Sequence, residues 1–93
     1  MTVNVAGREL KTVAIVDDDD SARSSYRFTI EDLDLEPDPW EGPLPDVAKC
    51  VEEIVERSDA AICDHHLRVR DYSRFDGAEL VAACYGRHFP AIL

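Results

Sequence analysis

The chain has 93 residues, with 20 Asp and Glu against 10 Lys and Arg and a formal net charge of −10. That length holds a single domain over residues 1–93, since domains run to roughly 100–150 residues, and a chain this short buries only about two thirds of the surface that its unfolded form exposes. The acid excess excludes charge-driven binding to nucleic acid or to anionic membranes, both of which draw on surplus Lys and Arg.

Residues 1–11 read as a leader or a short extra strand, in which polar Asn4, Arg8, Glu9 and Lys11 interrupt the apolar stretch that a secretory signal needs. Val13, Ala14, Ile15 and Val16 then form an apolar run that stops at Asp17. Short β-branched runs of this kind predict a strand buried on both faces of a parallel sheet. Over residues 21–33, Ala22, Tyr26, Ile30 and Leu33 recur at helical spacing, with Asp19, Asp20 or Ser21 available as the N-cap.

Leu35 and Glu36 predict a brief strand that Pro37 and Pro39 cut off, followed by a turn-rich loop over residues 37–45. Pro45 suits the first turn of a second helix, which carries Val47, Cys50, Val51, Ile54 and Val55 on one side and Glu52, Glu53, Glu56 and Arg57 on the other. A second apolar run, Ala60, Ala61, Ile62 and Cys63, again ends in an acid, Asp64, followed by His65 and His66. After a polar loop over residues 68–74, Asp76 and Gly77 open a third helix through Leu80, Val81 and Cys84, and Pro90, Ala91, Ile92 and Leu93 begin another strand.

This alternation predicts an α/β fold with a three-layer, doubly wound parallel sheet and right-handed crossovers. No run of about 18 apolar residues is present, so no membrane-spanning helix is expected. Cys50, Cys63 and Cys84 lack paired metal-ligand spacing and lie within apolar patterns, which predicts buried, reduced thiols and a cytoplasmic location.

Ligands of such sheets bind at the carboxyl ends of the strands. Two strands here finish in aspartate, so Asp17, Asp18 and Asp64 are expected at one edge, as carboxylates for a hard cation such as Mg2+. A phosphoryl group whose charge is neutralised there is open to attack by one of them. Asp19 and Asp20 read more simply as helix capping and favourable charge at the helix N-terminus.

Together, the strand ending in Asp17 and Asp18, Arg23 in the first turn of the following helix, the strand ending in Asp64 and the run Asp76-Gly77-Ala78-Glu79-Leu80 resemble the receiver domains of bacterial response regulators. The resemblance spans residues 13–93 and implies a flavodoxin-like sheet. It further implies that Asp64 is the phosphoacceptor, Asp18 a direct Mg2+ ligand, Asp17 a ligand through water, and His66 the donor of a backbone carbonyl to the metal. A phosphohistidine kinase or phosphotransfer protein is the implied partner, and the implied role is a phosphorelay signalling domain rather than a turnover enzyme. Arg68 stands where a proline commonly follows in the family, and the loop between Asp64 and Asp76 is longer than usual. The family's switch Ser or Thr, at the end of the fourth strand, and its Lys, at the end of the fifth, would fall beyond Leu93.

Three alternatives stay open from the sequence. A noncatalytic receiver-like module would dimerise through a flank carrying Ala91, Ile92 and Leu93. Asp64-His65-His66 is similar to the motif of the Asp-His-His phosphoesterases, which use two Mn2+ ions, although no upstream histidine accompanies it. A transition-metal site would use His66 with Asp64 and Asp18. Arg68, Arg70 and Arg74 are either a solvated face or a counterweight to the acidic site that meets a phosphate. Trp40 is expected as a loop anchor on the core.

Overall fold

In a computed structural model of the chain, which describes residues 3–5 and 8–93, the first apolar run forms a strand at the centre of a four-stranded sheet. A short antiparallel hairpin precedes it, pairing β1 (Val3–Val5) with β2 (Arg8–Leu10). Of the leader or extra strand expected over residues 1–11, positions 1, 2, 6 and 7 lie outside the described residues. The elements then run β3 (Thr12–Val16), α1 (Asp20–Asp32), β4 (Glu36–Pro39), α2 (Val47–Arg57), β5 (Ala60–Cys63), a 3-10 turn at Val69–Asp71, α3 (Gly77–Gly86) and β6 (Ala91–Ile92).

The sheet is parallel throughout, in the order β4-β3-β5-β6, which is a flavodoxin-like order. The chain steps from β3 to β4 in one direction and from β4 through β5 to β6 in the other. Right-handed crossovers therefore put α1 on one face and α2 with α3 on the opposite face. The side chains of β3 divide accordingly: Val13 and Ile15 pack with Ile30 of α1, whereas Ala14 and Val16 join Cys50, Ile54, Leu80 and Cys84. No helix among the described residues is long and apolar enough to cross a membrane.

Three local expectations change. Pro37 and Pro39 do not end the strand but lie within β4, paired with Val13 and Ile15. Glu36 donates its N–H to Lys11 (2.7 Å) and Trp40 donates to Ile15 (2.9 Å), so the two prolines between them have the alternate parity and point their missing donors away from β3. Pro45 precedes α2 instead of starting it, because Asp46 is the N-cap and its carboxylate accepts from Lys49. The α1 stripe is thinner than the periodicity predicts, for Ile30 is buried while Tyr26 and Leu33 stay exposed.

At the amino edge, Asp59 ties the strands together by accepting the N–H groups of Lys11 and Thr12, both at 3.0 Å, while its own N–H donates to Thr12 at 2.8 Å. Cys50, Cys63 and Cys84 are free and buried as expected. Burial pushes the thiols of Cys50 and Cys63 up to about 12 and that of Cys84 up to about 11, which keeps all three protonated.

Candidate metal centre

Parallel pairing sets Val16 beside Cys63, so Asp17 and Asp64 leave the sheet side by side at its carboxyl edge. Asp64 continues the ladder by donating its N–H to Val16 (2.8 Å). Asp17 begins the turn into α1: its Oδ1 accepts the N–H of Asp19 (2.9 Å), and Asp19 in turn caps the helix by accepting from Ser21 (2.9 Å). Arg23, one turn into α1, reaches back to donate to the Asp17 carbonyl (2.5 Å) and pairs with Asp20 (3.1 Å). Helix and strand end are thus tied at the point where the acids gather.

Asp17, Asp18 and Asp64 each offer a carboxylate oxygen, and these oxygens lie within 4.8 Å of one another. Asp17 is only 6% exposed, while Asp18 and Asp64 are half-buried. Burial is the main force raising the Asp17 carboxyl above its ordinary value. The Asp19 N–H opposes it, and the neighbouring charges of Asp64 and Asp18 add to the rise. A cation relieves both the repulsion and the desolvation.

The donor set fits a hard cation. Octahedral coordination at about 2.0–2.1 Å separates neighbouring ligand oxygens by about 3 Å and opposite ones by about 4.2 Å, within reach of oxygens clustered this closely. The cluster offers carboxylates alone, with no thiolate or imidazole, which suits Mg2+, Mn2+ or Ca2+ better than Zn2+. His65 and His66 are exposed, and among the described residues neither imidazole joins the cluster, so neither the Asp-His-His arrangement nor a His66 transition-metal site assembles.

Gly77, which the sequence offers as the start of a helix and as part of the Asp76-to-Leu80 run, also shapes the site. A Cβ on it would come within 1.9 Å of the Asp64 carbonyl oxygen, and its N–H donates to His65 (3.0 Å). Only glycine lets the first turn of α3 press against the backbone that carries Asp64. The available signal was a glycine at the first helical position directly after the N-cap Asp76, where most residue types are otherwise tolerated.

The three loop arginines separate in space. Arg68 pairs with Asp76 (3.3 Å) and Glu79 (3.1 Å) at the start of α3, whereas Arg70 lines a cleft with Asp18. Arg74 faces a different cleft, with Asp46 and Glu53. The loop itself is anchored as well as solvated: Leu67, Tyr72 and Phe75 are buried in the core. Trp40 is buried as expected, under the Arg57 guanidinium at 4.6 Å from its ring, and Tyr72 donates its hydroxyl to the Trp40 carbonyl (2.5 Å).

Compared with protein-family models and with curated proteins, the sequence matches none. The functional reading therefore rests on the fold and on the acidic cluster.

Proposed function

We propose that this domain is a phosphoacceptor of the response-regulator receiver type, taking a phosphoryl group onto Asp64 from a phosphohistidine kinase or a phosphotransfer protein. The observation that carries the reading is the convergence of Asp17, Asp18 and Asp64 at the carboxyl edge of a flavodoxin-like parallel sheet, each offering an oxygen within 4.8 Å of the others. Asp17, Asp18, Asp64 and the backbone carbonyl of His66 are the proposed holders of Mg2+. When bound, the ion would supply positive charge against the phosphoryl oxygens. Three reduced thiols fit a cytoplasmic setting.

In the proposed reaction an Asp64 carboxylate oxygen attacks phosphorus in line with the leaving nitrogen of a phosphoimidazole. The new O–P bond forms as the P–N bond breaks, and the imidazole nitrogen keeps the electron pair. The resulting acyl phosphate is later cleaved by water to inorganic phosphate and free Asp64. Asp17 and Asp18 are not consumed, while Gly77 keeps the Asp64 backbone in place against α3.

The test is incubation with Mg2+ and a small phosphodonor or beryllofluoride, alongside Asp64→Asn. A mass gain or a spectral change that requires both Mg2+ and Asp64 supports the reading. No response from the unaltered protein, or an equal response from Asp64→Asn, overturns it.

One surface favours a second reading, a noncatalytic module that pairs with another copy of itself. β6 is an edge strand whose Ile92 is 60% exposed, and Leu93 beside it is exposed as well. Sedimentation velocity across a concentration series tests this: a dimer that Ile92→Lys abolishes supports it, and a monomer at high concentration overturns it.

A further inference from the structure

The acidic centre has an electrostatic deficit that its own ligands do not remove. Three carboxylates with one divalent cation leave a net negative charge, and a phosphoryl group on Asp64, which replaces that carboxylate's single charge by nearly two, deepens it. A cationic side chain facing the same space is needed to hold such an anion. Arg23 is close, but its guanidinium is already engaged by the Asp17 carbonyl and Asp20 and lies 5.6 Å from the Tyr72 ring.

Arg70 is in a different condition. It lines a cleft of about 280 Å3 that also contains Asp18, Arg23, Gly42, Asp71 and Tyr72. It is exposed and, among the described residues, its side chain has neither a hydrogen bond nor an ion pair, in contrast to Arg68 a few positions earlier. Its backbone is left-handed (φ 57°, ψ 33°), as is that of Asp71 (φ 58°), a conformation that residues with a Cβ seldom adopt. Firm anchors on the C-terminal side hold this turn in place. Buried Tyr72 donates its N–H to Val69 (3.1 Å) and accepts from the Leu44 N–H (2.7 Å), and Ser73 exchanges hydrogen bonds with Phe75.

Resting on the phosphoacceptor reading, we infer that Arg70 is the anion-binding side chain of this centre, whose guanidinium meets the oxygens of a phosphoryl group on Asp64 across the cleft shared with Asp18. A guanidinium suits that task because its paired N–H donors match phosphate oxygens two at a time.

The test uses calorimetric titration of the whole chain, first with Mg2+ and then with beryllofluoride at saturating Mg2+. Arg70→Asn removes the guanidinium while keeping a residue that tolerates left-handed backbone, and Arg70→Lys keeps the charge without the fork. The expected result is that Arg70→Asn melts no lower than the unaltered protein, binds Mg2+ at least as tightly, and binds beryllofluoride at least tenfold more weakly, with Arg70→Lys in between. Beryllofluoride binding by Arg70→Asn within twofold of the unaltered protein overturns the inference, as does a parallel loss of Mg2+ affinity, which would mark Arg70 as a structural support. If the unaltered protein itself binds Mg2+ but no beryllofluoride, the phosphoacceptor reading fails, and the role of Arg70 fails with it.

Discussion

On the α2 and α3 face of the sheet, Ala14 and Val16 meet Cys50, Ile54, Leu80 and Cys84 in one continuous buried cluster that extends to Leu67, Tyr72 and Phe75 of the loop beside the acidic centre. On the α1 face, Val13 and Ile15 meet Ile30, and Leu35 and Ile62 are only partly covered. An apolar cleft of about 240 Å3 stays open there, walled by Ile30, Leu33, Ile62 and Ile92. The hydrophobic contribution to stability, roughly 25 cal/mol per Å2 of apolar surface buried, therefore comes mainly from the α2 and α3 side. Helix α1 depends more on polar ties at its N-terminus, where Asp19 caps it and Arg23 holds the Asp17 carbonyl. The face that is thick in apolar contacts supports the Asp64 loop, and the thin face carries a helix fastened at the candidate metal centre.

The largest expected effect belongs to the thick face. Leu80→Ala removes a fully buried side chain and should lower stability by about 2–5 kcal/mol in urea unfolding. A loss below about 1 kcal/mol would break the comparison by showing that this cluster is loosely packed. Gly77→Ala comes next: the added methyl must displace the Asp64 backbone, at about 1–3 kcal/mol by analogy with overpacked cores. Cation affinity should fall with it, and calorimetry finding normal affinity would separate Gly77 from the centre.

A smaller effect follows from the raised carboxyl of Asp17. Its folded form binds a proton more tightly than its unfolded form, so this contribution to stability is present below the ordinary value of 3.8 and is lost as pH rises through the higher folded value. Without divalent cation, the stability of Asp17→Asn relative to the unaltered protein should therefore increase as pH rises from acid toward neutral and then level off. Added Mg2+ should close the gap, because it stabilises the ionised carboxylates of the unaltered protein. Urea midpoints across pH measure this, and a pH-independent difference would show that the crowding of Asp17 costs nothing. The smallest change belongs to the thin face, where Phe28 of α1 is 64% exposed. Phe28→Ser should alter stability by no more than about 0.5 kcal/mol, and a larger loss in thermal melts would show that this face is covered in solution.

Much of this architecture is legible in the residue pattern. Apolar runs ending in Asp17 and Asp64 located β3 and β5, and the spacing of Cys50, Val51 and Ile54 located α2, because burial on both faces of a strand or on one side of a helix leaves a plain period. The prolines of β4 were misread because a sequence does not show which edge of a strand faces its partner. The stripe on α1 overstated burial for a related reason: periodicity says which residues share a side, but how many of them are covered depends on what packs above.

Residue types and their order were enough to determine a parallel α/β sheet with acids at two strand ends, since strand burial and crossover handedness leave few other arrangements. Only the tertiary structure decided that oxygens of Asp17, Asp18 and Asp64 approach within 4.8 Å while both histidines stay outside the cluster. It likewise decided that Arg68 is spent on α3 while Arg70 shares a cleft with Asp18. Those outcomes depend on the register between β3 and β5 and on the path of the anchored loop, which arise from contacts between residues far apart in the chain.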